Sequence, residues 1–233
     1  EGILFIRKIY CINIKINDGP VQRYTSLYHK SASGNLQTAL AVLNSCDYIV
    51  GQNILGFDIP VIENWVGKIT STPIDTLIIT QLLYSKDTLM SIDYGIAEMP
   101  KNLYGSFSLK AFGIRFGDYK IQFEDFTKLS DEMLTYCDQD VELTYRLFKY
   151  LLEEPYFPSP QILELEQRVK QIIVAQELHG FYFDVTAAKA LATTMRYKKL
   201  SLELILQKVF KPMFLPSGPI KQPSSRNKTK MYS

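Results

Sequence analysis

One stretch constrains this chain more than any other: the run from Asp131 to about Leu152, with Tyr136-Cys137-Asp138-Gln139-Asp140 inside it. Apolar or half-apolar residues recur at Met133, Tyr136, Cys137, Val141, Leu147, Phe148 and Leu151, the period of an amphipathic helix with one face on a core. Ser130 is placed as its N-cap, and Asp131 and Glu132 fall in the first turn, where the helix dipole favours acids. Four residues separate Tyr136 from Asp140, so phenol and carboxylate share a face, the inner one. An inward carboxylate is costly unless a cation or hydrogen-bond donors meet it. Asp140 is therefore either a buried acid satisfied by a neighbouring backbone group or Lys, or a ligand.

The rest of the chain supplies a core for that helix to face. In 233 residues, 46% are hydrophobic and 21% charged, the profile of a soluble globular protein with room for one full domain and part of another. The longest apolar runs, Leu77 to Thr80 and Ile172 to Ala175, are of core size, far short of a membrane span, and no secretory signal is present. Cys11, Cys46 and Cys137 lack C-x-x-C spacing, which argues against a disulfide framework or a zinc site and favours a reducing cytoplasm. A net charge of +2 does not by itself argue for nucleic acid. The first residue, Glu1, reads as the start of a fragment.

Alternation from Ile9 to Ile16, the turn Asn17-Asp18-Gly19-Pro20 and a strand near Val21 to Ser26 predict a hairpin. A short helix around Leu36, Leu40 and Leu43 follows, then a strand at Tyr48-Ile49-Val50. Strands alternating with helices predict an α/β fold with a mixed sheet flanked by helices, followed by an α-helical segment. After the strand comes Gly51 to Pro60, leading into a helix through Trp65 on which Asp58 shares a face with Val61, Ile62 and Trp65. Asp58 is either a simple N-cap or an inward ligand; Asn53 and Phe57 lie at the end of a strand, where ligands of open α/β sheets collect. Asp75 is read as the cap of a helix through Leu83 and nothing more, Ser85 to Ser106 as a loop, and Ser108 to Gly113 as a short capped helix. Asp118 to Phe126 reads as a surface loop and Glu153 to Pro160, with its prolines, as a linker. Helices are expected from Ile162 to Leu178, ending at Gly180, and from Thr186 to Phe210 behind a cap at Asp184. The tail, residues 211–233, is basic and Pro-rich and reads as disordered.

Two inward carboxylates, Asp58 and Asp140, with Tyr136 on the same helical face, suit oxygen-loving divalent ions such as Mg2+ or Mn2+. Two such ions about 4 Å apart can activate water and stabilise a leaving oxygen at a phosphodiester. Asn53-x-x-x-Phe57-Asp58, Ile74-Asp75-Thr76, Ser108-Leu109 before Phe112-Gly113, and Tyr136-x-x-x-Asp140-Val141 together resemble the 3′-5′ exonuclease domain of phage-type family A DNA polymerases. Tyr156-Phe157-Pro158 and Gly180 to Asp184 resemble the entry into the polymerase thumb. The resemblance implies a ribonuclease H-like fold and DNA, single-stranded or frayed at its 3′ end, as partner, in the cytoplasm of a bacterial or phage-infected cell. It implies that Asp58 and Asp140 are ligands of two divalent metal ions, that Tyr136 positions the nucleophilic water, and that Asn53 and Phe57 touch the terminal nucleotides. By the same resemblance, residues 1–152 are the exonuclease domain, 153–210 the helical start of the polymerase domain, and 211–233 a tail, with palm and fingers outside the chain. The family's first motif, Asp-x-Glu, precedes a step that resembles Gly2-Ile3-Leu4, which places Glu1 just after the motif and leaves its two carboxylates out; the alternative, that Glu1 is itself the motif's Glu, requires a shorter loop than the resemblance suggests. Two other readings share some of these features: an RNA-processing exonuclease of the ribonuclease D type, and a catalytically silent nucleic-acid-binding module.

Overall fold

The computed structural model describes residues 6–118 and 123–210. Glu1 with Gly2-Ile3-Leu4, residues 119–122 of the expected loop from Asp118 to Phe126, and the 211–233 tail lie outside the described residues. By its internal contacts the chain divides into two compact units, Glu1–Gly180 and Phe181–Ser233.

The first unit is mixed α/β. Strands β1 (Cys11–Lys15) and β2 (Val21–Thr25) form the expected antiparallel hairpin, with Cys11 opposite Thr25 and Lys15 opposite Val21. Asn17 enters the left-handed region at φ 48° and the Gly19 N–H closes the turn on the Ile16 carbonyl at 3.0 Å. A short β3 (Gly34–Asn35) adds parallel to β2, so this sheet carries both pairings. Asn35 caps α1 (Leu36–Asn44), whose buried Ala39 packs with Ile14 and Tyr24. A second sheet joins β4 (Tyr48–Gly51) and β5 (Thr72–Asp75) in parallel, connected through α2 (Asp58–Trp65), as a crossover between parallel strands requires.

Helix α3 (Thr76–Leu83) follows β5 directly and buries Ile79 against α5 (Leu109–Arg115) and α6 (Asp131–Leu152) in a core of Ile79, Phe112, Leu147 and Leu151. The long helix is bounded as its pattern predicts and Ser130 accepts from the Met133 N–H. Its buried face also includes Leu134 and Leu143, which the sequence pattern passed over, while Tyr136 and Asp140 are half-buried. The face therefore turns further toward Leu134 and Leu143 than the period through Tyr136 implied.

The segment from Ser85 to Ser106, read as a loop, instead holds α4 (Lys86–Asp93), capped by Ser85, and a 3-10 turn at Lys101–Leu103. Asp93 is fully buried and is held by Arg115 Nε at 2.8 Å, Arg115 Nη2 at 2.9 Å and the Gly105 N–H at 2.8 Å. That buried pair, together with buried Leu89, anchors a mostly polar helix. Helix α7 (Pro160–His179) has Pro at its first turn and Gly180 at its end, at φ 67°. In the second unit α8 (Val185–Val209) starts behind Asp184, whose Oδ1 accepts from the Ala187 N–H at 2.9 Å.

Candidate functional site

The site grows from the loop that leaves β4. Gly51, the last residue of β4, pairs with Asp75, the last residue of β5. Asp75 is fully buried, and its carboxylate accepts from the Leu77 N–H at 3.0 Å, which is the expected cap. It does more than cap: it also accepts from Asn53 N–H at 2.8 Å and Leu55 N–H at 3.2 Å, both in the loop after β4. Its own N–H donates to Gln167 Oε1 on α7 at 2.8 Å. The carboxyl sits above its ordinary value because burial disfavours its charge; the three backbone N–H groups and the Lys170 cation oppose that. Asp75 was assigned too small a role by sequence, because the two extra donors arrive from a loop far upstream.

The loop is tight. Asn53 holds a left-handed backbone at φ 57°, a conformation Asn tolerates better than most residues. A Cβ on Gly56 would come within 2.4 Å of Asn53 Oδ1 and 3.2 Å of Lys170 Cε, so only glycine lets the Asn53 amide and the lysine stem close over this turn. Gln52 Nε2 donates to the Phe107 carbonyl at 2.8 Å, and Thr76 Oγ1 donates to Gln52 Oε1. The result presents Phe57, 42% exposed, immediately before Asp58 at the start of α2. Asp58 is not the N-cap, which is Phe57.

A second set of contacts fixes α6 on the β1–β2 hairpin. Asp138 accepts from Asn13 Nδ2 at 2.7 Å and Arg23 Nε at 2.8 Å, with Arg23 Nη2 as a further donor to the same carboxylate. Asn13 Nδ2 also reaches the Leu134 carbonyl at 3.2 Å, and Lys15 pairs with Glu142 at 2.8 Å. These bonds set the rotation of α6 and with it the positions of Tyr136 and Asp140, either side of Asp138. Sequence reasoning gave Asp138 no role; its partner Arg23 lies on a strand more than a hundred residues away. The Tyr136 ring lies 5.7 Å from that of Phe123 and 6.0 Å from that of Phe126, centroid to centroid.

Electrostatics ties the two elements together. The Asp58 carboxyl is pushed up to about 7, first by loss of water around it and further by the negative charges of Asp75 and Asp140; its own backbone N–H pulls the other way. Asp58 is an exposed residue rather than the inward one its helical position predicts, and solvent screening at its open surface limits what the raised value costs the fold. Asp58 and Asp140, from α2 and α6, thus share one electrostatic neighbourhood, and Asn53 and Phe57 lie in the loop that leads into Asp58. Among the described residues, no group of three or more His, Cys, Asp or Glu side chains could hold a metal ion. The acidic pair attracts a cation, yet the described donors do not complete a metal site by themselves.

A pH dependence follows from Asp58. A carboxyl with a raised folded-state value favours the fold when protonated, so its contribution is present below the ordinary carboxylate range and is lost as pH rises toward about 7. Asp58→Asn removes that loss. Without divalent ions, its melting temperature should exceed the parent's at pH 8, with the difference vanishing near pH 4. Thermal unfolding across that range checks this; a difference constant with pH would show that Asp58 does not carry the raised value.

No family model matches the chain. It is 26% identical over 182 residues to the DNA-directed DNA polymerase of Escherichia phage T7, with 62% of this chain and 26% of the polymerase covered. The DNA-directed DNA polymerase of Enterobacteria phage T3 matches with the same identity and coverage. The chain is similar to a region of phage DNA polymerases. It spans about a quarter of the length of these relatives. Among the described residues, no helix is long and apolar enough to cross a membrane.

Proposed function

We propose that this chain is the 3′-5′ exonuclease, or proofreading, part of a DNA-directed DNA polymerase of family A, built on a ribonuclease H-like fold and running on into the start of the thumb. On this reading residues 1–152 form the exonuclease domain, 153–210 the entry to the polymerase domain and 211–233 a basic tail. What carries it is the similarity to a region of phage DNA polymerases, and the like charges of Asp75 and Asp140 near Asp58, which help to raise its carboxyl, fit that reading. Carboxylates arranged to repel one another mark a place where a cation or a proton belongs.

The residues divide the work. Phe57 offers an exposed ring on which a terminal base stacks, and Asn53, held by Asp75, offers a polar side chain beside it. Tyr136 orients water through its hydroxyl, and Asp58 and Asp140 are the ligands toward Mg2+ or Mn2+. When bound, such ions supply charge to polarise the phosphodiester and lower the pKa of water. The described donor set is short of a complete site, so the reading requires further carboxylates, of the kind an upstream Asp-x-Glu provides.

A site that stacks terminal bases accepts an end only after it has frayed. The chain should therefore bind single-stranded DNA and duplexes with mismatched 3′ ends more tightly than matched duplexes, by roughly the 1–3 kcal/mol of one stacked base. Fluorescence anisotropy with labelled oligonucleotides at fixed salt measures this. Equal affinity for a matched duplex would remove the proofreading reading, and a preference for RNA of the same sequence would favour a ribonuclease D-like enzyme.

A further inference from the structure

The three cysteines fall into two environments. Cys46 stands apart, its thiol donating to the Val42 carbonyl at 3.4 Å. Cys11, at the start of β1, and Cys137, on α6, face each other with their sulfurs 3.7 Å apart. All three thiols are free, and each residue is half-buried. Sequence spacing gave no hint of this, because 126 positions separate the two members of the pair. The strand and helix that carry them are already fixed on one another by Asn13 and Arg23 on Asp138. The two sulfurs are therefore held within reach of one another, with the gap from 3.7 Å to the roughly 2.05 Å of a disulfide bond left to close.

We propose that Cys11 and Cys137 are a reversible disulfide site that latches α6 to β1. The site is independent of the nuclease reading. Its oxidant is a low-molecular-weight disulfide such as glutathione disulfide. The Cys11 thiolate attacks one sulfur of that disulfide and expels a glutathione thiolate, which takes up the proton Cys11 gave to solvent. The Cys137 thiol then loses its proton, attacks the Cys11 sulfur and expels the second glutathione thiolate, which is protonated in turn. Two protein thiols are oxidised, one small disulfide is reduced to two thiols, and one S–S bond joins Cys11 to Cys137.

Contact with the Cys137 sulfur holds the Cys11 thiol below its ordinary value, assisted by the Arg23 cation, against burial and the Asp138 charge. The same contact pushes Cys137 up, together with burial and the charges of Asp140 and Asp138. Cys137 directly follows Tyr136 and lies one turn before Asp140. A bond at this position would cross-link the acidic turn of α6 to the sheet.

The test uses the 233-residue chain, reduced, then incubated with glutathione disulfide at neutral pH and quenched in acid. Remaining thiols are labelled with N-ethylmaleimide in denaturant and peptides are mapped by mass without reduction. Cys11 and Cys137 should lose label in parallel and appear in one linked peptide two hydrogens lighter than the free pair, while Cys46 stays labelled. The oxidised chain should melt several degrees higher, an increase reversed by dithiothreitol, kept in Cys46→Ser and absent in Cys11→Ser. Full labelling of Cys11 and Cys137 in a folded chain would overturn the proposal. So would glutathione remaining on Cys11 beside a free Cys137, or linkage equally fast in urea.

Discussion

Replacing Asp140 by alanine, in a chain extended upstream through an Asp-x-Glu pair, should lower release of 3′-terminal nucleotides by more than about 10²-fold, beyond the loss typical of residues that merely support a metal ligand. The fold should survive. Asp140 is half-buried on a helix whose buried residues are Met133, Leu134, Leu143, Leu147 and Leu151, none of which the change replaces. With the Asp140 charge gone, one of the like charges that raise Asp58 is also gone, so the Asp58 value should fall. Tyr136→Phe keeps the ring among Phe123 and Phe126 and removes only the hydroxyl, so its loss should be smaller, near 10²-fold at most. Nucleotide release measured for both variants, with circular dichroism as the check on folding, distinguishes these roles. Near-normal turnover in Asp140→Ala removes that residue from the site, and equal losses in the two variants make Tyr136 structural.

The largest stability effect should come from Asp75. Alanine there strips the acceptor from three backbone N–H groups, those of Asn53, Leu55 and Leu77. Two of the donors are in the loop that presents Phe57 and Asp58, so the loop should loosen as well as the fold weaken. Burying donors without partners costs about 1–3 kcal/mol each, and relief from burying a carboxylate offsets part of that, which leaves a net loss of about 2–4 kcal/mol. Asp75→Asn keeps one oxygen acceptor and should lose less. Urea unfolding measures both, and faster amide exchange at Asn53 and Leu55 should accompany the loss. A stability change within about 0.5 kcal/mol of zero for Asp75→Ala, the range of an ordinary surface substitution, would mean that Asp75 does not hold the loop.

The parts of this protein that were legible in its sequence are those decided locally. The bounds and cap of α6 follow from an amphipathic period and from Ser130, and the hairpin from alternation with Asn17-Asp18-Gly19 between strands. The reach of Asp75 to Asn53 and Leu55 was not legible, because those bonds form only when β4 and β5 lie side by side. Nor was the role of Asp138, which waits on Arg23 across 115 positions. Helix α4 escaped because it buries only Leu89 and Asp93 and so carries almost no apolar period; the ion pair to Arg115 supplies what the pattern lacks. The sequence patterns aim both Asp58 and Asp140 inward, each from a separate helix; Asp140 is half-buried, whereas Asp58, at the very start of α2, is exposed. Their shared electrostatic neighbourhood is a property of how α2 and α6 are placed.

On the proposed reading, Asp58, Tyr136 and Asp140 belong to a nuclease site that the described residues do not complete. Two divalent ions held close together need more negative charge than two carboxylates supply. The most direct measurement is release of terminal nucleotides from a 3′-labelled single strand with Mg2+ or Mn2+, by the 233-residue chain and by the version extended upstream through Asp-x-Glu. Little or no release by the first, robust release by the second, and its loss on Asp140→Ala are the expected results. Robust cleavage by the 233-residue chain alone, or none by the extended one, would contradict the account.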